Sequence, residues 1–147
     1  MAGTKDGRID VFDYTGNYLD SLENAHEVMQ GSEENPIFSI CSLKDGFALT
    51  GRNIVTIYKF NSLVSVDINN ASLSELNNKT MFSSNQYKIF KQLKLTKDDT
   101  VNITDLIKNS TEDELVCCTS SNQLFFIDLY KCEESLMVNF NEKNLYK

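Results

Sequence analysis

The chain has 147 residues, enough for one domain with a hydrophobic core, and its 41% apolar content is that of a globular protein. Twenty-one acidic residues against fourteen scattered basic ones give a formal charge of -7, which argues against nucleic acid or an anionic membrane as partner. No apolar run approaches the eighteen or so residues of a membrane helix, and Met1 to Asp13 alternates charged and apolar residues where a signal peptide would be continuously apolar, so the cytoplasm is the expected compartment.

Taken in chain order, the elements repeat. Ala2-Gly3-Thr4 reads as a short strand, Lys5-Asp6-Gly7 as a tight turn, and Arg8 to Asp13 as a second strand in which Ile9 and Val11 alternate with Asp10 and Phe12. Thr15-Gly16-Asn17 is the next hairpin turn and Tyr18 to Leu22 the next strand. A second unit runs through Ile37 to Leu43, the turn Lys44-Asp45-Gly46, Phe47 to Gly51, a turn at Gly51-Arg52-Asn53, Ile54 to Phe60, and Gln86 to Leu95. A third comprises Val101 to Ile107, Leu115 to Ser120, a turn at Ser121-Asn122, Gln123 to Leu129, and Leu136 to Phe140. The Asp-Gly and Gly-Asn pairs supply the positive φ that tight turns between twisted strands demand, and the β-branched and aromatic content favours strand over helix.

Repetition at roughly 40 to 45 residues marks the four-stranded blades of a β-propeller, whose strands are lettered a to d from the centre outward. From Arg8 to Ile54 the step is about 46 positions, and from Ile54 to Gln123 about 69. The excess falls in Asn61 to Asn85, an Asn- and Ser-rich stretch between strands c and d of the second blade, expected to be a solvated loop insertion with one helical turn at the capping-box spacing of Ser72 to Glu75. The fold expected is all-β: a partial WD40-type β-propeller of about three four-stranded antiparallel blades, with an incomplete first blade at 1–26, a second at 37–95 carrying the insertion at 61–85, and a third at 101–147. The a strands, Ile37 to Leu43 and Val101 to Ile107, are expected to be innermost and most buried. Three blades are too few to close a ring and the first begins at strand b, so the sequence is read as an excerpt or truncated gene model.

No residue suggests catalysis. His26 is the only histidine, so a Ser-His-Asp or Cys-His arrangement has nothing nearby to rest on, and a structural role is expected for it. The acidic pairs Glu33-Glu34, Asp98-Asp99, Glu112-Asp113 and Glu133-Glu134 all fall in predicted loops, where paired charge means solvation. Cys41, Cys117, Cys118 and Cys132 lack zinc-type spacing, and adjacent strand residues 117 and 118 point to opposite faces, so reduced cysteines and no metal are expected. The sequons at Asn70, Asn78, Asn102 and Asn109 are expected by chance in an Asn-rich chain. No Gly-rich phosphate loop or dinucleotide fingerprint occurs, and no cofactor is expected.

The residues carrying the repeat are Asp6, Gly7, Asp45, Gly46, Asn53 and Asn122 in the turns and His26 after the first d strand. Ala25-His26 resembles the Gly-His dipeptide of WD repeats, whose histidine hydrogen-bonds an acidic residue in the next b to c turn; Asn53 stands there, which implies a weakened or rebuilt network. Phe12-Asp13 occupies the Trp-Asp position in a chain without tryptophan, and Ile127-Asp128 is a weaker echo. Residues 2–12, 37–60 and 110–128, in that order, resemble consecutive blades of the cilia- and flagella-associated protein 57 family of WD-repeat proteins. Lys44-Asp45-Gly46-Phe47-Ala48, and Ser110, Glu112 and Leu115-Val116 leading into Asn122-Gln123-Leu124, carry most of the likeness.

The resemblance implies a non-catalytic protein-interaction scaffold of the ciliary axoneme and cytoskeleton, with partners among axonemal dyneins or regulatory complexes of the inner arms. The acidic loops and the 61–85 insertion would form its contact surface. Another WD-repeat scaffold, of the echinoderm microtubule-associated type, and a secreted glycosylated binding domain are the alternatives.

Overall fold

The computed structural model describes residues 1–26, 35–60 and 87–140. Among these residues there is no helix, and eleven strands form three antiparallel sheets. The first sheet holds β1 (Ala2–Gly3), β2 (Ile9–Phe12) and β3 (Tyr18–Leu22). The second holds β4 (Ser39–Leu43), β5 (Gly46–Thr50), β6 (Ile54–Phe60) and β7 (Tyr87–Lys94). The third holds β8 (Ile103–Lys108), β9 (Glu114–Thr119), β10 (Gln123–Asp128) and β11 (Glu133–Asn139). Each sheet is a meander in which sequence neighbours pair, so the chain is all-β and is a partial β-propeller of three blade-like sheets, the first with three strands. The 61–85 insertion with its Ser72 to Glu75 turn, and the Glu33-Glu34 pair, lie outside the described residues.

One left-handed residue sets the same corner in each sheet. Gly7 (φ 80), Asn53 (φ 52) and Asn122 (φ 59) each precede a c strand, and glycine and asparagine tolerate that conformation best. Their carbonyls accept hydrogen bonds from the amides of Ala25, Leu95 and Phe140, just beyond each d strand, so one corner ties three strands of a sheet. Adjacent sheets are stitched at the same rim: the Ile37 amide donates to the Thr4 carbonyl, and the Ile103 amide to the Gly51 carbonyl, both at 3.1 Å.

Two apolar seams fill the gaps between sheets. Ile9, Val11, Leu22 and Ala25 of the first sheet and its corner pack with Phe47, Leu49 and Tyr58 of the second. Ala48, Val55 and Ile57 on the opposite face of the second sheet pack with Leu106, Leu115, Cys117, Phe125 and Ile127 of the third. Strand alternation makes this possible, since successive residues serve successive seams.

The structure corrects three sequence expectations. The b and c strands, β5 and β6, are the most buried, while β4 is half-buried with Ser42 exposed, because an a strand at the sheet's edge has a single in-sheet neighbour. The third d strand begins at Glu133, not Leu136, so Glu133-Glu134 belongs to a strand and pairs with Asp128 and Ile127. Gly46 is not in the positive-φ region: it opens β5 opposite Lys59, with the turn confined to Lys44-Asp45. The glycine is required there because a Cβ would lie 1.9 Å from the Tyr58 carbonyl oxygen. Asn109, one of the sequon residues, caps the turn between β8 and β9 through its side chain, accepting from the amides of Asp113 and Glu114.

The cysteines follow the alternation. All four are unbridged; Cys117 is buried in the seam, where burial pushes its thiol up to about 12, and Cys118 lies half-buried on the other face.

Candidate functional site: a cleft between the second and third sheets

The sequence-derived site residues divide between the two rims. Asp6, Gly7, His26, Asn53 and Asn122 lie at the rim of the b to c corners, and Asp45 and Gly46 at the opposite rim. At the first rim, Asp6 accepts from the Thr4 hydroxyl, which holds its carboxyl below the usual range. Gly7 is buried against the Asn35 carbonyl, where a Cβ would come within 2.8 Å.

His26 is rebuilt rather than lost. It is buried to 2% exposure and does not bond Asn53; its Nδ1 lies 2.7 Å from the Thr56 hydroxyl on β6. Thr56 also accepts from the Gln92 side-chain amide at 3.3 Å, so one hydroxyl on β6 joins His26 to β7. Nε2 has no well-formed hydrogen bond among the described residues. Burial lowers the imidazole pKa from 6.5 to about 4, opposed in part by the nearby Thr50 backbone. The Tyr58 hydroxyl donates to the Ala25 carbonyl at 2.7 Å, so residues of β6 hold both members of the Ala25-His26 corner.

Asn53 turns to the third sheet's side instead. Its amide N–H donates to the Val101 carbonyl at 2.8 Å, and its side chain donates to Asp99, which also pairs with Lys94 at 2.8 Å. Lys94 first and Asn53 second hold the Asp99 carboxyl below its usual range. The Asp98-Asp99 pair is thus exposed yet partly committed to this corner.

The opposite rim carries a concavity. A cleft of about 520 Å³ opens between the second and third sheets, bounded by the turn Lys44-Asp45, the turn at Thr111-Glu112 and the turn at Leu129-Tyr130. Fully buried Ile57 and half-buried Leu43 and Leu129 make an apolar base. Lys44, Lys59, Asp45 and Glu112 supply both signs of charge at the lip, and Tyr130 stands 85% exposed beside them.

Glu112 fixes the two sheets at this lip. It adopts a left-handed φ of 57, its Oε2 accepts from the Lys44 amide at 2.8 Å, and its Oε1 pairs with Lys108. These partners, Lys108 foremost, hold its carboxyl below the usual glutamate range. Lys59 reaches Asp45 at 3.5 Å and sits 4.1 Å over the Phe90 ring, which leaves the Lys44 ammonium as the uncommitted charge among the described lip residues.

Sequence reasoning missed Glu112, Tyr130, Lys59 and Thr56. Glu112 was read as solvated because its partner Lys44 is distant along the chain; no local pattern announces such a bond. Among the described residues no group of His, Cys, Asp and Glu is placed to hold a metal ion. No helix of the described residues is long and apolar enough to cross a membrane.

Compared with models of protein families and with curated protein sequences, the chain matches none. Fold and site together define a class: an all-β protein of blade-like sheets with a mixed apolar and charged cleft on one rim.

Proposed function

We propose that this protein is a non-catalytic protein-interaction scaffold that receives an extended segment of a partner in the rim cleft. The observation that carries the reading is the cleft itself: about 520 Å³, with an apolar base and a two-signed charged lip, held between two sheets cross-tied by Glu112. A volume of that size accepts one or two side chains, and a site anchored on strands loses little entropy on binding. Turns at a blade rim are free to vary while the strands hold them, which suits recognition.

A finer proposal places the scaffold in the ciliary axoneme, with dynein or regulatory complexes as partners. Its support is the order of residues 2–12, 37–60 and 110–128, which resembles consecutive blades of the ciliary WD-repeat family.

Both levels are tested by expressing the tagged protein in a ciliated cell and identifying its neighbours by proximity labelling. The expected result is axonemal signal and a set of protein neighbours, part of which disappears in Tyr130→Ala/Lys59→Glu. Both side chains are at least partly exposed, so the substitutions leave the seams intact. Exclusion from cilia would overturn the axonemal placement, and an unchanged neighbour set in the double variant would overturn the cleft.

A further inference from the structure

Resting on the rim cleft as the binding site, we infer that its partner segment is acidic: an extended strand that lays apolar side chains on the cleft base and aspartate or glutamate side chains along a row of lysines on the second sheet's wall.

A bulge builds the row. Lys88 and Lys91 are three positions apart on β7, so strict alternation would turn them to opposite faces of the sheet. The pairing shifts between them: Lys88 stands opposite Lys59 and Ile89 opposite Tyr58, but Ile57 faces Lys91, which leaves Phe90 as the extra residue. The bulge resets the alternation, and Lys59, Lys88 and Lys91 share the face of Ile57, the wall of the cleft. Packing agrees, since Tyr87 and Ile89 go to the seam with the first sheet while Leu93 goes to the seam with the third. Burial raises the Cys132 thiol and the charges of Lys59 and Lys91 oppose it, which sets both lysines beside the third sheet's turn across the cleft.

The charges on this wall are unbalanced. Asp45 is taken by Lys59 and Glu112 by Lys108. Lys44, Lys88 and Lys91 are exposed and have no ion partner among the described residues. Lys59 opposite Lys88 is itself unfavourable, because like charges facing each other across strands cost stability, and a carboxylate brought between them reverses the sign. In a chain of formal charge -7, a cationic wall departs from the field of the whole molecule and steers an anionic partner to this rim.

The spacing selects the occupant. Same-face positions on a strand lie about 7 Å apart, so the row meets alternate side chains of a partner strand, whose intervening side chains turn to Leu43, Ile57 and Leu129. The row contains no arginine and its ammonium groups are spread along the wall, which suits successive carboxylates and not a single phosphate gripped by a guanidinium fork.

Fluorescence anisotropy of the full chain with short labelled peptides, in which leucine alternates with aspartate, asparagine or lysine, tests the inference. The aspartate peptide is expected to bind, more weakly as salt is raised, the asparagine peptide at least about tenfold more weakly, and the lysine peptide not at all. Lys88→Glu/Lys91→Glu lowers affinity for the aspartate peptide at least about tenfold with strand circular dichroism retained. Lys5→Glu/Lys97→Glu, the same change in net charge at the other rim, leaves affinity within about twofold. Equal binding of the aspartate and asparagine peptides, both lost in Tyr130→Ala, overturns the acidic partner and spares the cleft. No binding by any peptide overturns both. An effect of Lys5→Glu/Lys97→Glu equal to that of the row marks net charge alone and overturns the lysine row. Binding that emerges only when residues 61–85 are replaced by a short linker makes this chain its own occupant and overturns a separate partner.

Discussion

Acidification from pH 6.5 to 4 is expected to remove about 3 kcal/mol of folding stability through His26 alone. Burial holds its imidazole near 4 in the folded protein, against 6.5 when solvated. Between those values the unfolded chain binds a proton that the folded chain refuses, so stability is full above 6.5, falls as pH drops through the window, and levels off below 4. The structural outlet is the Ala25-His26 corner, whose loss would release the first sheet from the second. Urea unfolding at pH 7, 5.5 and 4.5 checks this against His26→Gln, which cannot charge. The native chain is expected to lose more stability than the variant, and equal slopes would refute the assignment. Asp13, held at about 2 by Thr15 and Asn17, contributes stability that is lost only below its ordinary 3.8, so the two windows barely overlap.

Gly46→Ala is expected to cost about 3 kcal/mol or more, although Gly46 has an ordinary φ. The added methyl would lie 1.9 Å from the Tyr58 carbonyl oxygen and 3.0 Å from the Lys59 Cα, both backbone, so β5 and β6 must part at the end where Gly46 faces Lys59. Gly16→Ala is the informative comparison. Gly16 has φ 89 but open space around it, so alanine there meets conformational strain alone, worth about 1 kcal/mol. Thermal unfolding of the two variants should rank Gly46→Ala clearly lower; the reverse order would mean that turn conformation, and not strand approach, is the stronger constraint on these glycines.

Both effects bear on how far the residues could be read without a structure. Period-two alternation at Ile9 and Val11, and at Val55 and Ile57, located strands to within a residue or two, because one-sided burial imposes that period on any sheet. The Asn53 and Asn122 turns were legible as well, since few residues accept a left-handed corner. Gly46 was legible as important but not for its reason: an Asp-Gly pair signals a turn, and only the register of β5 on β6 reveals the carbonyl behind it.

The candidate site was less visible. Glu112 sits in a turn that reads as a plain solvated loop, Tyr130 carries no signal of its own, and the cleft exists only because turns from two sheets converge. His26 could be recognised as structural, yet its partner Thr56 sits inside a strand pattern with no mark of its own.

By itself, then, the sequence determined the local geometry: which segments are strands, where they turn, and that the unit repeats, all properties of neighbouring residues competing for φ, ψ and one-sided burial. The tertiary structure decided which alternate face meets which sheet, that β5 and β6 rather than β4 are most buried, that His26 answers to Thr56 while Asn53 answers to Asp99, and that a cleft forms at one rim. Those outcomes depend on contacts between residues far apart in the chain, whose geometry is set by packing across the seams and leaves no periodic trace in the amino-acid order.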